Sequence, residues 1–211
     1  MRLVFASNNP HKLDEVRSIL GNEVEVVRLA EIGFHKDIEE TGDTLEENSL
    51  LKAQTVWKYL HAQGGHTADG VFADDTGLEI HALGGRPGVR TARWAADESA
   101  RQGIETADHS SAANRQLALR LLAGKMDRDA QFRTVVTYIH ADGRIRQVEG
   151  IVKGTIATEE RGGSGFGYDP IFIPEGYDKT FAELPAEVKN SISHRARAVY
   201  ALQALLAQTE W

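Results

Sequence analysis

Residues 3–29 read LVFASNNPHKLDEVRSILGNEVEVVRL, and this stretch decides the class of fold. The apolar run Leu3–Ala6 predicts a short buried strand, and the polar residues that follow predict a loop. Pro10 suits the first turn of a helix, apolar residues then recur at helical spacing, and Gly21 marks the end of that helix. A second strand is predicted over Val24–Leu29. The stretch therefore predicts a β-α-β unit.

The rest of the chain continues this alternation and then changes to a hairpin. A longer helix is predicted from Thr44 to about His61, and a third strand, Val71–Ala73, follows it. Two β-rich segments, Ala130–His140 and Arg144–Ile156, flank the strong turn signal Asp142-Gly143. A surface loop and two helices are also predicted: Ala95–Ala112, Asn114–Leu122 and Ser193 to about Gln208. We predict an α/β fold with a mixed central sheet flanked by helices, as one domain over residues 1–211.

Composition narrows the function classes. The chain has 211 residues, 41% hydrophobic and 26% charged, and no apolar run approaches the ~20 residues of a membrane span. It has no cysteine, which excludes disulfides and thiolate zinc sites. The net charge of −7 argues against duplex nucleic acid as a partner, whereas local cations and a metal still allow a small anionic ligand. A cytoplasmic enzyme without membrane attachment is the expectation.

The loop after the first strand has the chemistry of a phosphate site. Its backbone N–H groups stand at a helix N-terminus, where an anion is stabilised, and its lysine would add a positive charge. The alternative is a capped helix start with a solvated lysine. The segment is not a Walker loop, because it lacks that glycine spacing. Its residues are Ser7, Asn8, Asn9, Pro10, His11 and Lys12.

Two adjacent acids follow the third predicted strand. At the carboxyl end of a strand, Asp74 and Asp75 would suit a hard cation such as Mg²⁺, and one carboxylate would also take a proton from an attacking water. The alternative is an ordinary turn, which Asp, Thr76 and Gly77 form readily.

The start of the second predicted helix offers another candidate ligand. Thr44 and Glu47 match a capping box, so Glu47 either caps the helix or supplies a second metal ligand. Asn48 and Lys52, four residues apart, share one face and would line the same cleft.

Residues 162–195 combine glycines, aromatic rings and cationic donors, a mixture that suits a nucleotide. The glycines let backbone N–H groups approach a ligand, the two rings would stack on a base, and the cations would bind phosphate or carbonyl oxygens. The alternative for the glycine cluster is a flexible hairpin loop, since it lacks dinucleotide-binding spacing. The candidate binding residues are Phe166, Gly167, Tyr168, Asp169, Lys189, His194 and Arg195.

Six blocks in this order resemble the inosine/xanthosine triphosphate pyrophosphatase family, which hydrolyses deaminated purine nucleotides. The resemblance covers the whole chain. The blocks are Ser7-Asn8 to Lys12, Glu47-Asn48 to Lys52-Ala53, residues 73–79, residues 87–93, residues 165–172, and residues 179–195.

This resemblance implies two lobes around a cleft, a homodimer, and Mg²⁺-dependent cleavage between the α and β phosphates to give a monophosphate and pyrophosphate. It implies that Asp75 accepts a proton and belongs to the metal site, that Glu47 helps to hold Mg²⁺, and that Asp74 is a further candidate ligand. Lys52 would act in catalysis, Lys12 and Lys189 would bind phosphates, and Thr76 would keep the hydroxyl of the family's usual serine. Ser7 to Lys12 would cradle the phosphates. Phe166 to Asp169, His194 and Arg195 would hold base and sugar, with Arg195 or nearby backbone N–H groups donating to the 6-oxo group of the base.

Two other functions remain open from the sequence. One is a pyrophosphatase for modified nucleotides, of the structurally similar Maf type. The other is a nucleotide-binding module without turnover, which the acids at positions 47, 74 and 75 argue against because a pure binder has little need of them beside a triphosphate.

Overall fold

The fold comes from a computed structural model that describes residues 1–64, 68–103 and 110–208. Its strands are β1 (Arg2–Phe5), β2 (Glu25–Val27), β3 (Gly70–Ile80), β4 (Pro87–Gly88), β5 (Asp129–His140), β6 (Ile145–Ile156) and β7 (Phe172–Pro174). Its helices are α1 (Pro10–Leu20), α2 (Leu45–Ala62), α3 (Trp94–Arg101), α4 (Ser111–Leu121), α5 (Ala186–Ile192) and α6 (His194–Leu206). Over these residues the strand order is β2-β1-β3-β5-β6-β7, and β4 pairs with β3.

The chain divides into two compact units. Unit 1 comprises Met1–Asp75, Thr134–Gly150 and Ser193–Trp211, and unit 2 comprises Thr76–Arg133 and Ile151–Ile192. In unit 1, β1 pairs in parallel with both β2 and β3. In unit 2, β4 and β7 pair antiparallel with β3 and β6. The sheet is therefore mixed, as the sequence predicts, while the single two-lobed domain stays a prediction.

Unit 1 has a hydrophobic cluster on each face of its sheet. Leu3, Phe5 and Phe72 pack in the cluster that also holds apolar residues of α1 and α6. Val4 and Ala73 pack in the other cluster, which holds apolar residues of α2. The division follows from strand geometry, because successive side chains point to opposite faces. Odd and even positions of β3 thus meet different helices.

Unit 2 has one core, built around aromatic rings. Phe132 of β5 lies 4.7 Å from Phe172, centroid to centroid, and Phe172 lies 5.3 Å from Phe181. Apolar residues of β3, α3 and α4 surround them, and the ring of Tyr168 belongs to the same cluster. This core fixes the chain on both sides of the glycine-rich loop at residues 162–167.

Several local predictions are confirmed. Helix α1 begins at Pro10 and is closed by Gly21, and α2 begins after a Thr44 cap. The two long strands β5 and β6 enclose the predicted Asp142-Gly143 turn. Ser193 caps α6. These features depend on residues close in sequence, so the pattern suffices to locate them.

Three predictions are wrong in extent. The third strand does not end at Ala73 but continues to Ile80, through the residues 74–77 for which a turn was the alternative. Leu78 and Glu79, which follow them, pair with β4. Pairing with neighbouring strands outweighs the local turn preference of Asp and Gly. The segment Ala95–Ala112 is not all loop, because α3 buries Trp94 and Ala96 under a charged outer face; residues 104–109 lie outside the described residues. Finally, strand β2 covers only Glu25–Val27, and a 3₁₀ turn follows from Leu29.

Candidate functional site

The adjacent acids of β3 point to opposite faces of the unit 1 sheet. Asp74 has the parity of Phe72 and meets side chains of α1 and α6, whereas Asp75 has the parity of Ala73 and meets α2. The sequence predicts two carboxylates at a strand end serving one cation. Because the strand continues, alternation separates them instead. Each acid therefore has its own set of partners.

Asp74 is an acceptor in a buried ion-pair network. Its Oδ1 lies 3.0 Å from Nζ of Lys12 and its Oδ2 lies 3.1 Å from Nε of Arg195. Burial would raise the pKa of Asp74, but Lys12 and Arg195 outweigh burial and hold the pKa well below its usual value. Arg195 also pairs with Glu15 through NH1 and is 2% exposed. Asp74 thus stays ionised and is held from both sides.

The pKa values of Lys12 and Arg195 shift in opposite directions in this network. Burial is the larger effect on Lys12 and lowers its pKa despite the attraction of Asp74. Burial also opposes the charged form of Arg195, but Asp74 and Glu15 outweigh it and raise the pKa of that guanidinium. Lys12 is therefore the less firmly held charge of the two, and the one that is partly exposed.

Asp75 keeps one carboxylate oxygen without a partner. Its Oδ1 lies 3.1 Å from Nζ of Lys52, which is also 2.6 Å from Oε1 of Glu40. Its Oδ2 is buried and has no hydrogen-bond partner among the described residues. Burial raises the pKa of Asp75 more than Lys52 lowers it. A buried carboxylate with a raised pKa and an open oxygen is well suited to accept a proton or to bind a cation.

Lys52 is the shared cation on this face. Burial would lower the pKa of Lys52, but Asp75 and Glu40 outweigh burial and raise it. The lysine is therefore charged at neutral pH. It ties α2 to β3 at the residue that carries the open oxygen.

Glu47 forms the predicted capping box. Its Oε2 accepts hydrogen bonds from the backbone of Asp43 (2.7 Å) and Thr44 (3.2 Å), and Oγ1 of Thr44 accepts from Glu47 N. The side chain is exposed and lies at the start of α2. A structural role for Glu47 is confirmed, and its role as a metal ligand stays a prediction.

Asn9 caps the helix that follows the first loop. Its side chain accepts from the backbone N–H groups of His11 (3.0 Å) and Lys12 (3.3 Å), and Asn9 N donates to Oγ of Ser7 (3.2 Å). These two amides of the expected phosphate cradle are thus already bonded. Asn8, Pro10 and His11 are exposed.

In unit 2, the glycine-rich loop is tied to Asp169. Oδ2 of Asp169 accepts hydrogen bonds from Phe166 N (2.7 Å) and from Nζ of Lys189 (2.7 Å). The Lys189 ammonium lies 4.8 Å from the centroid of the Phe166 ring. Gly165 has φ +78°, and a Cβ there would collide with the Asp169 carboxylate. The turn therefore needs glycine at this position.

The two aromatic rings of this loop differ in exposure. The Phe166 ring is partly exposed, whereas Tyr168 is 3% exposed and donates from its hydroxyl to the carbonyl oxygen of Thr91 (2.9 Å). Arg115 NH1 donates to the carbonyl oxygen of Gly167 (2.8 Å). Of the two rings expected to stack on a base, only that of Phe166 has a partly exposed surface.

Three charged residues of these networks were missed from the sequence. Glu15 lies three residues after Lys12, so its helical position was a usable signal for a shared face. Glu40 and Arg115 come from a loop and from α4, and no local pattern marks them. His194 opens α6 in unit 1 and is buried, and Thr76 lies within β3.

Within residues 1–64, 68–103 and 110–208, no group of three or more acidic or histidine side chains is arranged to hold a metal ion. No helix there is long and apolar enough to cross a membrane. A cavity of about 800 Å³ opens in unit 2, but none of the predicted site residues lines it.

Comparison with known proteins decides the family. Residues 3–205 match the model of the Ham1 family. The chain belongs to the Ham1 family. It is 47% identical over 205 residues to a Ham1 relative, the dITP/XTP pyrophosphatase of Porphyromonas gingivalis, with 97% of each chain covered. It is 44% identical over 210 residues to the dITP/XTP pyrophosphatase of Flavobacterium johnsoniae, with 100% of each chain covered.

A solved structure agrees with this Ham1 assignment. The Ham1 protein of Staphylococcus aureus matches with a TM-score of 0.81 and 38% identity over 98% of each chain. The resemblance and the fold class predicted from the sequence are thus confirmed.

Proposed function

We propose that this protein hydrolyses deaminated purine nucleoside triphosphates, ITP, dITP and XTP, to the monophosphate and pyrophosphate, with Mg²⁺ as cofactor. The observation that carries the proposal is the buried Asp75 carboxylate, held at one oxygen by Lys52 and open at the other. Close relatives named dITP/XTP pyrophosphatase support the substrate class.

The charge balance of unit 1 favours a divalent cation. Four acids surround three basic side chains in the networks around β3, so the cluster has no surplus positive charge for a triphosphate. The acids are Glu15, Glu40, Asp74 and Asp75, and the bases are Lys12, Lys52 and Arg195. Mg²⁺ prefers oxygen ligands and would neutralise charge on the phosphates when bound. The candidate ligands are Glu47 on the α2 side and the carboxylate group of Asp75.

Asp74 has a different part in the proposal. Both its oxygens are bound by cations, and it faces α1 and α6. Asp74 therefore holds Lys12, the lysine of the predicted phosphate loop. Lys12 would exchange part of this contact for a phosphate oxygen.

Hydrolysis needs a proton acceptor for the attacking water and compensation of charge on the leaving pyrophosphate. Asp75 would take the proton at Oδ2, the oxygen without a partner. Lys52, held by Asp75 and Glu40, would keep that carboxylate in place and offset negative charge. These steps use groups that are already ordered in the protein, which lowers the cost of organising the transition state.

We assign the base to the segment from Phe166 to Asp169. The Phe166 ring offers a stacking surface with Lys189 beside it, and a donor near this loop would bind the 6-oxo group that distinguishes hypoxanthine from adenine. The sequence offers Arg195 or nearby backbone N–H groups as that donor. The Arg195 guanidinium is bound by two carboxylates, so the loop is the better assignment.

Product analysis tests the proposal. The protein is incubated with the triphosphates of inosine, xanthosine, adenosine and guanosine, with and without Mg²⁺, and pyrophosphate is scored against orthophosphate. We expect pyrophosphate, mainly from the first two and only with metal. Orthophosphate as the product, or no turnover of any of the four, would contradict the proposal.

Two finer statements belong to the proposal: the resemblance supports a homodimer, and the composition supports action in the cytoplasm. Sedimentation equilibrium measures the first, and a monomer at micromolar concentration would refute it. Fractionation of the source cells measures the second.

A further inference from the structure

Asn48 has a buried amide group that is only half satisfied. Its Oδ1 accepts a hydrogen bond from Gly42 N (2.8 Å), which determines which arm of the amide is the oxygen. Its Nδ2 is buried and has no partner among the described residues, and the whole side chain is 0% exposed. A buried donor left without an acceptor destabilises the folded protein. The amide nitrogen therefore still needs an acceptor, which the described residues do not supply.

Asp75 has a buried acceptor that lacks a donor among the described residues. Its Oδ2 is a buried acceptor without a donor, while Oδ1 is held by Lys52. The Asn48 donor and the Asp75 acceptor both belong to unit 1. A single small molecule with both donor and acceptor capacity would satisfy the two together.

Two contacts hold the same face of α2 against the strand that carries Asp75. Ser49 Oγ donates to the carbonyl oxygen of Ala73 (3.0 Å), and Nζ of Lys52 donates to Asp75 (3.1 Å). Asn48 lies four residues before Lys52 in α2, so these two side chains share one face of the helix. The side chain is therefore on the side of the sheet to which Asp75 points.

We propose that Asn48 is a catalytic residue whose Nδ2 donates to the oxygen of the attacking water, while that water donates to Oδ2 of Asp75. Water fits both groups, because it accepts one hydrogen bond and donates another. A phosphate oxygen fits only Asn48, since it would repel the Asp75 carboxylate. The inference rests on the proposed function and adds the group that positions the nucleophile.

The step balances as a hydrolysis. The water oxygen forms a bond to phosphorus, and the P–O bond of the bridge between the α and β phosphates breaks. One proton of the water passes to Oδ2 of Asp75. The electron pair of the broken P–O bond leaves with the bridging oxygen, as part of the pyrophosphate. Asn48 gives up no proton; it holds the oxygen with a lone pair directed at phosphorus.

The test uses Asn48→Asp with Asn114→Asp as a matched control. Asn48→Asp keeps a side-chain oxygen that accepts from Gly42 N, and it replaces the amide nitrogen Nδ2 with a second oxygen. Asn114 is also a buried asparagine, but both arms of its amide are bonded, to Ala95 N (2.7 Å) and to the carbonyl oxygen of Ala92 (3.1 Å). Asn48→Ala is measured beside them in case the aspartate prevents folding.

We measure kcat and KM with ITP and Mg²⁺, thermal unfolding, and calorimetric binding of an ITP analogue with a methylene bridge between the α and β phosphorus atoms. For both Asn48 variants we expect kcat to fall roughly 100-fold, the loss typical of a misplaced reactant, with KM and analogue affinity unchanged. Asn114→Asp should lose thermal stability and keep kcat.

Wild-type kcat in the Asn48 variants would overturn this inference alone. Analogue affinity that falls as much as kcat would also overturn it, because Asn48 would then bind phosphate. If the wild-type protein itself releases no pyrophosphate from ITP, dITP or XTP, the proposed function fails and this inference fails with it.

Discussion

The Nε atom of Arg195 lies 3.1 Å from Oδ2 of Asp74, although the two residues are 121 positions apart in the chain. The contact brings the start of α6 to the middle of β3 and gives a buried guanidinium one of its two carboxylate partners. Lys12 occupies the other oxygen of Asp74. The network explains why an acid can lie inside a strand at 2% exposure.

Replacing Arg195 tests what this contact does. Arg195→Ala leaves Asp74 and Glu15 without their shared cation, and breaking such a buried pair costs about 3–5 kcal/mol. We expect a large loss of stability in urea unfolding, with Arg195→Lys losing less. The preference for ITP over ATP should stay as in the wild type, measured on the lysine variant if the alanine variant is unfolded. A smaller ratio of activity on ITP to activity on ATP in the variant would indicate that Arg195 does select the base.

Replacing Asp75 separates catalysis from folding. Asp75→Asn removes the proton acceptor, and we expect kcat for pyrophosphate release to fall ~10²–10⁴-fold. Lys52 keeps Glu40 as a partner, so circular dichroism and the unfolding temperature should change little. Near-normal turnover in this variant would remove Asp75 from the mechanism.

Replacing Glu47 separates capping from metal binding. Glu47→Gln retains a side-chain oxygen that can accept from Asp43 and Thr44, so the cap should survive and stability should change by less than about 0.5 kcal/mol. If Glu47 also binds Mg²⁺, the metal concentration for half-maximal activity rises. An unchanged Mg²⁺ dependence would leave Glu47 with the capping role alone.

Replacing Phe166 tests the stacking surface. Phe166→Ala removes a ring whose stacking on a base is worth about 1–3 kcal/mol, so KM should rise correspondingly while kcat stays the same. Tyr168→Phe is the control, because it loses only the hydroxyl bond to Thr91 and should cost about 1 kcal/mol of stability. Equal KM values in wild type and Phe166→Ala would place the base elsewhere.

Acid stability tests the ionisation of Asp74. Its folded-state pKa lies below the ordinary value of 3.8, so the folded state binds the proton less tightly than the unfolded state. The resulting stabilisation is fully present above pH 3.8 and is lost as pH falls towards the folded-state pKa. Asp74→Asn should be less stable at neutral pH and should lose less stability than wild type on acidification in urea unfolding. Parallel pH profiles for the two proteins would contradict this.

Much of the local structure could be predicted from neighbouring residues. The Thr44–Glu47 capping box and the Asp142-Gly143 turn depend on groups a few positions apart, and each was located correctly. The order of motifs along the chain likewise sufficed for the family, because each motif is weak alone and their succession is specific. Sequence by itself therefore determined the fold class, these local caps and turns, and the candidate residues.

Only the tertiary structure decided how those candidates are divided. Asp74 and Asp75 look like one acidic pair, but strand pairing carries β3 past them and strand alternation sends their side chains to opposite faces. The partners that follow, Arg195 for one and Lys52 for the other, come from helices distant in sequence. The free oxygen of Asp75 and the free amide nitrogen of Asn48 depend on which partners arrive, and no local pattern encodes that.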